Sequence, residues 1–390
     1  MSATTTSPET AAKQSRLPPR AAWWDPRIWM GCSAPALLRL LGDHGWRVAP
    51  RDWPIVAFDL AASCYNSAAG GLERLLFGRA AERTQIRNAP LFIIGHWRSG
   101  TTLLHELLIQ DERHTFSSNY DCVSPNHFLI TEWFATRVFG FMLPKQRAMD
   151  SMPLGWDRPQ EDEFALVNLG LPSPYASIAF PNEPRRNLEY YDLESLSPAD
   201  RERWKAGFMH FLKRLTFRTP KRMVLKSPPH TFRIRVLLEM FPDARFVHIV
   251  RDPYVLFSST VHLWKSIYLT QGLQKPNFAG LEEQVFDTFT RMQQQLEATR
   301  SLVPDHRFHE LRYEDLVAAP VDEMRKLYDG LDLGEFEAVL PAIERYLEGT
   351  KGYRTNRYEL DPALEAEITR RWSEPIRRYG YERTVEGGGQ

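Results

Sequence analysis

Short apolar runs recur through the middle of the chain. Leu91-Phe92-Ile93-Ile94 follows Pro90 and stops at Gly95. Met223-Val224-Leu225 stops at Lys226, and the run from Arg245 to Val250 stops at Arg251-Asp252-Pro253. Arg307-Phe308-His309-Glu310-Leu311 is a weaker fourth run. Runs this short, closed by glycine, proline or charge, fit strands buried on both faces of a parallel sheet. Between and around them, helical spacing predicts helices over 101–110, 198–217, 231–240, 255–264, 281–301, 321–328 and 363–379. Such alternation predicts an α/β fold: three layers, α/β/α, around a central parallel sheet.

Outside these runs the pattern changes. Residues 1–20 are polar and read as a disordered tail. Residues 21–88 are rich in tryptophan (Trp23, Trp24, Trp29, Trp46, Trp53), and Leu37, Leu38, Leu40 and Leu41 recur at helical intervals. This predicts a helical segment packed on a main domain over 89–383. Lys and Arg are not clustered on it, which speaks against a peripheral membrane contact. Residues 116–197 look irregular and proline-rich, as expected of an insert that shapes a substrate pocket. Its aromatics (Phe128, Trp133, Phe134, Phe139, Phe141, Trp156) suit an apolar or ring-bearing acceptor, or equally an ordinary core.

Charge narrows the chemistry. Lys plus Arg and Asp plus Glu both number 49, so no global basic field points to nucleic acid. Any anion site must be local. Three scattered cysteines, Cys32, Cys64 and Cys122, show no metal spacing and suit a reducing compartment. The first twenty residues lack a signal peptide's apolar stretch, and no run reaches about 18 apolar residues, so a cytoplasmic location is expected.

The strongest local signal is Leu91 through Leu104, which reads strand, tight loop, helix. Gly95 and Gly100 have P-loop spacing, and Thr102 stands at that motif's Ser/Thr position. Thr101 replaces the motif's lysine. A helix N-terminus still offers free N–H groups and partial positive charge to an anion. Ser99, Thr101 and Thr102 add hydroxyls, Gly100 allows close approach, and Arg98 adds a planar cation. Without the lysine, and with no strand ending in an obvious magnesium-holding aspartate, a degenerate P-loop kinase or NTPase is a poor second reading.

Arg98-Ser99-Gly100-Thr101-Thr102 resembles the loop with which sulfotransferases that use 3′-phosphoadenosine 5′-phosphosulfate (PAPS) hold the 5′-phosphosulfate. The family's second motif is similar to the strand ending at Arg251-Asp252, with Ser259 eight positions after Arg251. The resemblance covers about residues 90–380. It implies the P-loop-like fold, PAPS as donor without a metal, a 3′-phosphate held by Arg251 and Ser259, and a catalytic lysine matched by Lys226. Leu311-Arg312-Tyr313-Glu314-Asp315-Leu316 looks like a segment common near the end of such enzymes. The tail from Gly352 to Tyr358 resembles a late closing loop, in which Lys351 and Arg354 could touch phosphate or serve as a solvated basic turn.

In-line sulfuryl transfer from PAPS to a hydroxyl asks for cations on the leaving phosphate, here Arg98 and Lys226, and for a base. The family's usual base positions fall on Pro228 and near Asn119, neither of them a base. Glu161, beside Asp162 and Glu163, ranks first among the substitutes, ahead of His127 and His230. A non-catalytic protein that binds the spent nucleotide, adenosine 3′,5′-bisphosphate (PAP), is a third reading. The acceptor stays open between a small molecule, a glycan and a lipid alcohol.

Overall fold

The computed structural model of the chain describes residues 17–22, 25–138, 155–350 and 360–383. The expected tail is therefore outside the described residues up to residue 16. So are Trp23, Trp24, Phe139, Phe141, Lys351 and Arg354.

The first α-helices among the described residues are α1 (Ala34–Asp43) and the long α2 (Trp53–Arg83). Ser33 caps α1, accepting from the Ala36 N–H. Next come β1 (Leu91–Ile94), α3 (Thr101–Leu108) and a two-residue strand β2 (His114–Thr115). The stretch read as irregular holds three short helices: α4 (Asn119–Val123), α5 (Phe128–Val138) and α6 (Asp162–Asn168). Then follow α7 (Pro198–Arg218), β3 (Arg222–Lys226), α8 (Ile234–Met240), β4 (Arg245–Val250), α9 (Pro253–Gln271) and α10 (Leu281–Arg300). The chain closes with β5 (Phe308–Arg312), α11 (Tyr313–Ala318), α12 (Pro320–Leu331), α13 (Leu340–Gly349), α14 (Pro362–Arg371) and α15 (Ser373–Arg378).

The five strands among the described residues are all parallel, in the order β2-β3-β1-β4-β5. Side chains of β1 alternate between two cores, as the pleat requires. Phe92 and Ile94 join Phe208, Phe211 and Leu215 of α7 and Leu237 of α8. Leu91 and Ile93 join Leu104 and Leu107 of α3 and Leu327 of α12. Helices thus cover both faces, giving the three-layer α/β/α arrangement. A third core ties Trp29, Leu37, Leu41 and Ile55 to Phe257 and Trp264 of α9 and to Trp372. It seats the N-terminal helices against the rest of the chain.

The strand order places the site. From β1 the chain passes to β2 and β3 on one side, then to β4 and β5 on the other. Where the order reverses, a crevice opens beyond the carboxyl ends of the strands. Ile93 pairs with Lys226, and Ile94 with His248. The ends of β1, β3 and β4 therefore meet at one edge.

Candidate active site

The loop after β1 depends on two residues that admit little else. Gly95 has φ +144°, and a Cβ there would sit 2.6 Å from the Ile249 carbonyl oxygen. Gly100 has φ +105°, and a Cβ there would meet the Tyr313 ring at 2.3 Å. Both demand glycine for conformation and for space. Thr231 clamps the loop from outside: its hydroxyl accepts from the Gly95 N–H at 2.8 Å and donates to the Gly95 carbonyl at 3.3 Å. Arg98 lies at φ +71°, unusual for a side-chain-bearing residue.

Both halves of the expected nucleotide site meet here. The Arg98 Nε donates to the Ser259 hydroxyl at 2.9 Å, and an Arg251 guanidinium N–H donates to the Arg98 carbonyl at 2.9 Å. Arg251 also lies over the Tyr313 ring, 4.2 Å from its centre. Arg98 thus leans toward the residues expected to hold the 3′-phosphate instead of pointing only to the 5′ side. Thr101 and Thr102 open α3 behind it, with Thr101 buried. Ser99 is buried too, and its hydroxyl donates to the His96 carbonyl at 2.8 Å, so it braces the loop. Burial pushes the His96 imidazole down to about 4, and its Nδ1 donates to the Trp97 carbonyl. Asp252 caps α9 by accepting from the Tyr254 N–H, and Glu314 accepts from the Asp252 N–H at 3.1 Å.

The acidic string Glu161-Asp162-Glu163 begins α6, where the dipole favours negative charge. Each acid takes a different partner from the stretch after β3. Glu161 receives the Lys226 ammonium at 2.9 Å, Asp162 meets His230 at 2.8 Å, and Glu163 holds Arg233 at 2.5 Å. Lys226 and Glu161 are thus in contact, the lysine nearly buried and the carboxylate side chain 14% exposed. The other Glu161 oxygen accepts from the Tyr175 hydroxyl at 2.6 Å, and that hydroxyl accepts from the Trp97 indole N–H at 2.8 Å. An unbroken hydrogen-bonded path therefore runs from the loop through Trp97, Tyr175 and Glu161 to Lys226. Burial and the Glu161 charge hold the Tyr175 phenol well above its ordinary pKa, so it stays a donor. Asn119, where no base was expected, accepts from the Gln160 side-chain amide at 2.7 Å and so fixes the neighbour of Glu161.

The two histidine candidates are placed otherwise. His230 is fully buried between the Phe92 and Phe208 rings, with Nε2 committed to Asp162. Beside it, burial would raise Asp162, but the imidazole draws that carboxyl below the usual range. His127 bonds Asn66 of α2 at 2.9 Å and Thr131 at 2.8 Å, and burial pushes it down to about 4. Both are packed side chains. Of the three base candidates, Glu161 is the one set against Lys226.

Sequence reasoning passed over Thr231, Tyr175 and His262. His262 lies three residues beyond Ser259 on α9, and burial together with the Arg98 charge pushes its imidazole below its ordinary value. That spacing was a usable signal. No local pattern marks Tyr175, because its role comes from distant partners.

Among the described residues, no group of three His, Cys, Asp or Glu side chains could hold a metal ion.

Comparison with known proteins extends this picture. The profile of the sulfotransferase family matches residues 90–337. The omega-hydroxy-beta-dihydromenaquinone-9 sulfotransferases of Mycobacterium bovis and Mycobacterium tuberculosis are each 47% identical over 360 residues, covering 92% of this chain and 92% of theirs. Among solved structures, the sulfotransferase STF9 of Mycobacterium avium aligns with a TM-score of 0.64 at 19% identity, over 89% of this chain and 96% of that one. STF1 of Mycobacterium tuberculosis aligns with a TM-score of 0.59 at 18% identity, over 87% and 90%. These two show the fold alone. With the family profile over most of the chain and relatives at 47% identity, the chain belongs to the sulfotransferase family.

Proposed function

We propose that this sulfotransferase moves a sulfuryl group from PAPS to a hydroxyl on a long apolar lipid of the menaquinone class. The reading of the donor is carried by one observation: Arg98, Ser259 and Arg251 interlock at the end of β1, within reach of a single nucleotide. Gly100 lets the Tyr313 ring press on the start of α3, where the free N–H groups of a helix N-terminus favour an anion. Arg251 and Ser259 would hold the 3′-phosphate. The loop N–H groups and the Thr101 and Thr102 hydroxyls would hold the 5′ side. The acceptor class rests on the likeness to the mycobacterial menaquinone sulfotransferases.

PAPS, when bound, supplies the sulfuryl group. The acceptor oxygen forms its new bond to sulfur while the bond from sulfur to the 5′-phosphate oxygen breaks. Glu161 takes the acceptor's proton, and PAP leaves. A carboxylate has lone pairs to spare beyond those serving Lys226 and Tyr175, so Glu161 can accept a third hydrogen bond. Lys226 neutralises charge gathering on the leaving phosphate, in a nearly buried place where such a contact is strongest.

The test uses radiolabelled PAPS with an ω-hydroxylated menaquinone, without added magnesium. Label is expected in the lipid phase. Label on a phenol or sugar but not on the lipid would overturn the acceptor reading, and failure to bind PAP in calorimetry would overturn the donor.

A further inference from the structure

Between Asp59 and Glu73, helix α2 is built inside out, although Ile55, Val56 and Ala81 nearer its ends are buried in the ordinary way. It runs 31 residues, about 46 Å at 1.5 Å per residue. Its buried positions include Asp59, Ser63, Asn66 and Glu73. Its solvent side carries Phe58, Tyr65, Leu72, Leu75 and Leu76, all exposed, with Leu75 at 82%. The spacing 58, 65, 72, 76 places four of these on one stripe. Three of these four buried polar side chains are hydrogen-bonded or paired, Asp59 being the exception. Glu73 forms an ion pair with Arg214 and accepts from the Leu129 N–H, while Asn66 donates to the Met30 and Cys32 carbonyls. The inversion is therefore a built arrangement: the polar side serves the protein and the apolar side faces out. Exposed apolar stripes of this extent mark contact surfaces.

Charge points to the partner. Asp59 and Glu73 are buried, so the exposed charges of α2 are Arg74, Arg79, Arg83 and Glu82. Glu82 is taken up by His210 and Lys213. Arg79 and Arg83 continue the apolar stripe at its far end. Trp46 and Trp53 stack at the near end, 6.3 Å apart and both exposed. Helix α5, bound to α2 through Leu129 and Glu73, adds exposed Phe134 and Trp133, the latter 70% exposed under the Arg137 guanidinium. Helical folding brings Arg79 and Arg83 to one face although they look unclustered along the sequence, and, against the expectation drawn from the sequence, an apolar stripe with a tryptophan pair at one end and arginines at the other fits the boundary between acyl chains and anionic headgroups. No described helix is long and apolar enough to cross a membrane. We propose that α2, with the outer face of α5, lies in the plane of an anionic lipid bilayer and holds the enzyme on its surface. This goes beyond the lipid-acceptor reading and stands without it, since it rests on α2 and α5 alone.

The test is flotation of the full chain with phosphatidylcholine vesicles, with and without phosphatidylglycerol, in the absence of PAPS and any acceptor. Binding is expected to the anionic vesicles and to weaken with salt. Leu75→Glu combined with Leu76→Glu should lower it about tenfold or more, and Arg79→Glu by less. PAP affinity and the unfolding midpoint should stay at the parent values, since these positions are solvent-facing and none of them is among the residues proposed to hold the nucleotide. A wild-type chain that stays with the pellet, or a double variant that floats as well as the parent, overturns the proposal. So does a double variant that turns a dimer into a monomer in sedimentation without changing vesicle binding, because the face then serves self-association. Lipid sulfation by a chain that fails to float would leave the acceptor reading standing and remove only this one.

Discussion

The nucleotide loop and helix α2 solve opposite problems with opposite materials. The loop is a short stretch whose glycines and arginine are each held by a neighbour. Gly95 is clamped by Thr231, Gly100 is pressed on Tyr313, and Arg98 is tied to Ser259 and Arg251. Helix α2 is long, leaves a whole apolar stripe uncommitted and hides two of its three acids, Asp59 and Glu73. A site that must hold one small charged molecule gains from fixed geometry, whereas a surface that meets a fluid partner needs only the right side chains facing out. In this chain, rigidity marks the chemistry and exposure marks the contact.

Substitutions sharpen that contrast. Lys226→Ala removes the cation beside Glu161 and should lower sulfuryl transfer by about a hundredfold to a thousandfold, as for a lost transition-state donor. PAP affinity measured by calorimetry should change far less. Transfer within a few-fold of the parent would remove Lys226 from the chemistry. Gly100→Ala should destabilise the fold by about 3 kcal/mol, because the new methyl meets Tyr313 and the φ is costly for alanine. Chemical denaturation reads this directly. Arg251→Ala should weaken PAP binding by roughly tenfold to fiftyfold, the range of a lost charged hydrogen bond, while leaving the unfolding midpoint near the parent's.

The gentlest test lies in α2. Asp59 is buried, and neither carboxyl oxygen has a hydrogen-bond partner, so burial raises its pKa to about 7. The native state therefore prefers the protonated acid. The stability this allows is fully present below the unfolded pKa of 3.8 and is lost as pH rises through about 7. Asp59→Asn should flatten that dependence and raise stability at pH 8 by about 1 kcal/mol. A melting-temperature series across pH 5 to about 8 checks it.

The central sheet was readable because its strands are continuous apolar runs closed by glycine or charge. The runs read at β1 and β4 match the observed strands closely. The two-residue β2 was missed, being too short to show a period. The stretch 116–197 looked shapeless because α4 and α6 are short and their buried acids find partners far along the chain. Asp121 meets Arg218, and Asp162 meets His230. Non-local pairs leave no mark in a local pattern. The same holds in the site. Arg98 could be named from the loop pattern, Arg251 and Ser259 from the family resemblance, and Glu161 could be ranked. Yet the three neighbouring acids look alike in sequence, and only their separate partners, Lys226, His230 and Arg233, tell them apart. For α2 the helix was visible but its orientation was not, since alanine and glycine fill the spaces between the faces.

The bonds from Tyr175 and Lys226 to Glu161 bear on economy of the donor. Both oxygens of that carboxylate are occupied before any acceptor arrives. A stray water must compete with an ammonium and a phenol for the base, with no binding energy of its own to spend. A long hydrophobic alcohol brings that energy with it. On the proposed mechanism the resting enzyme therefore guards its activated sulfate against hydrolysis by leaving the base only its remaining lone pairs, which the intended guest reaches with a binding energy that water lacks.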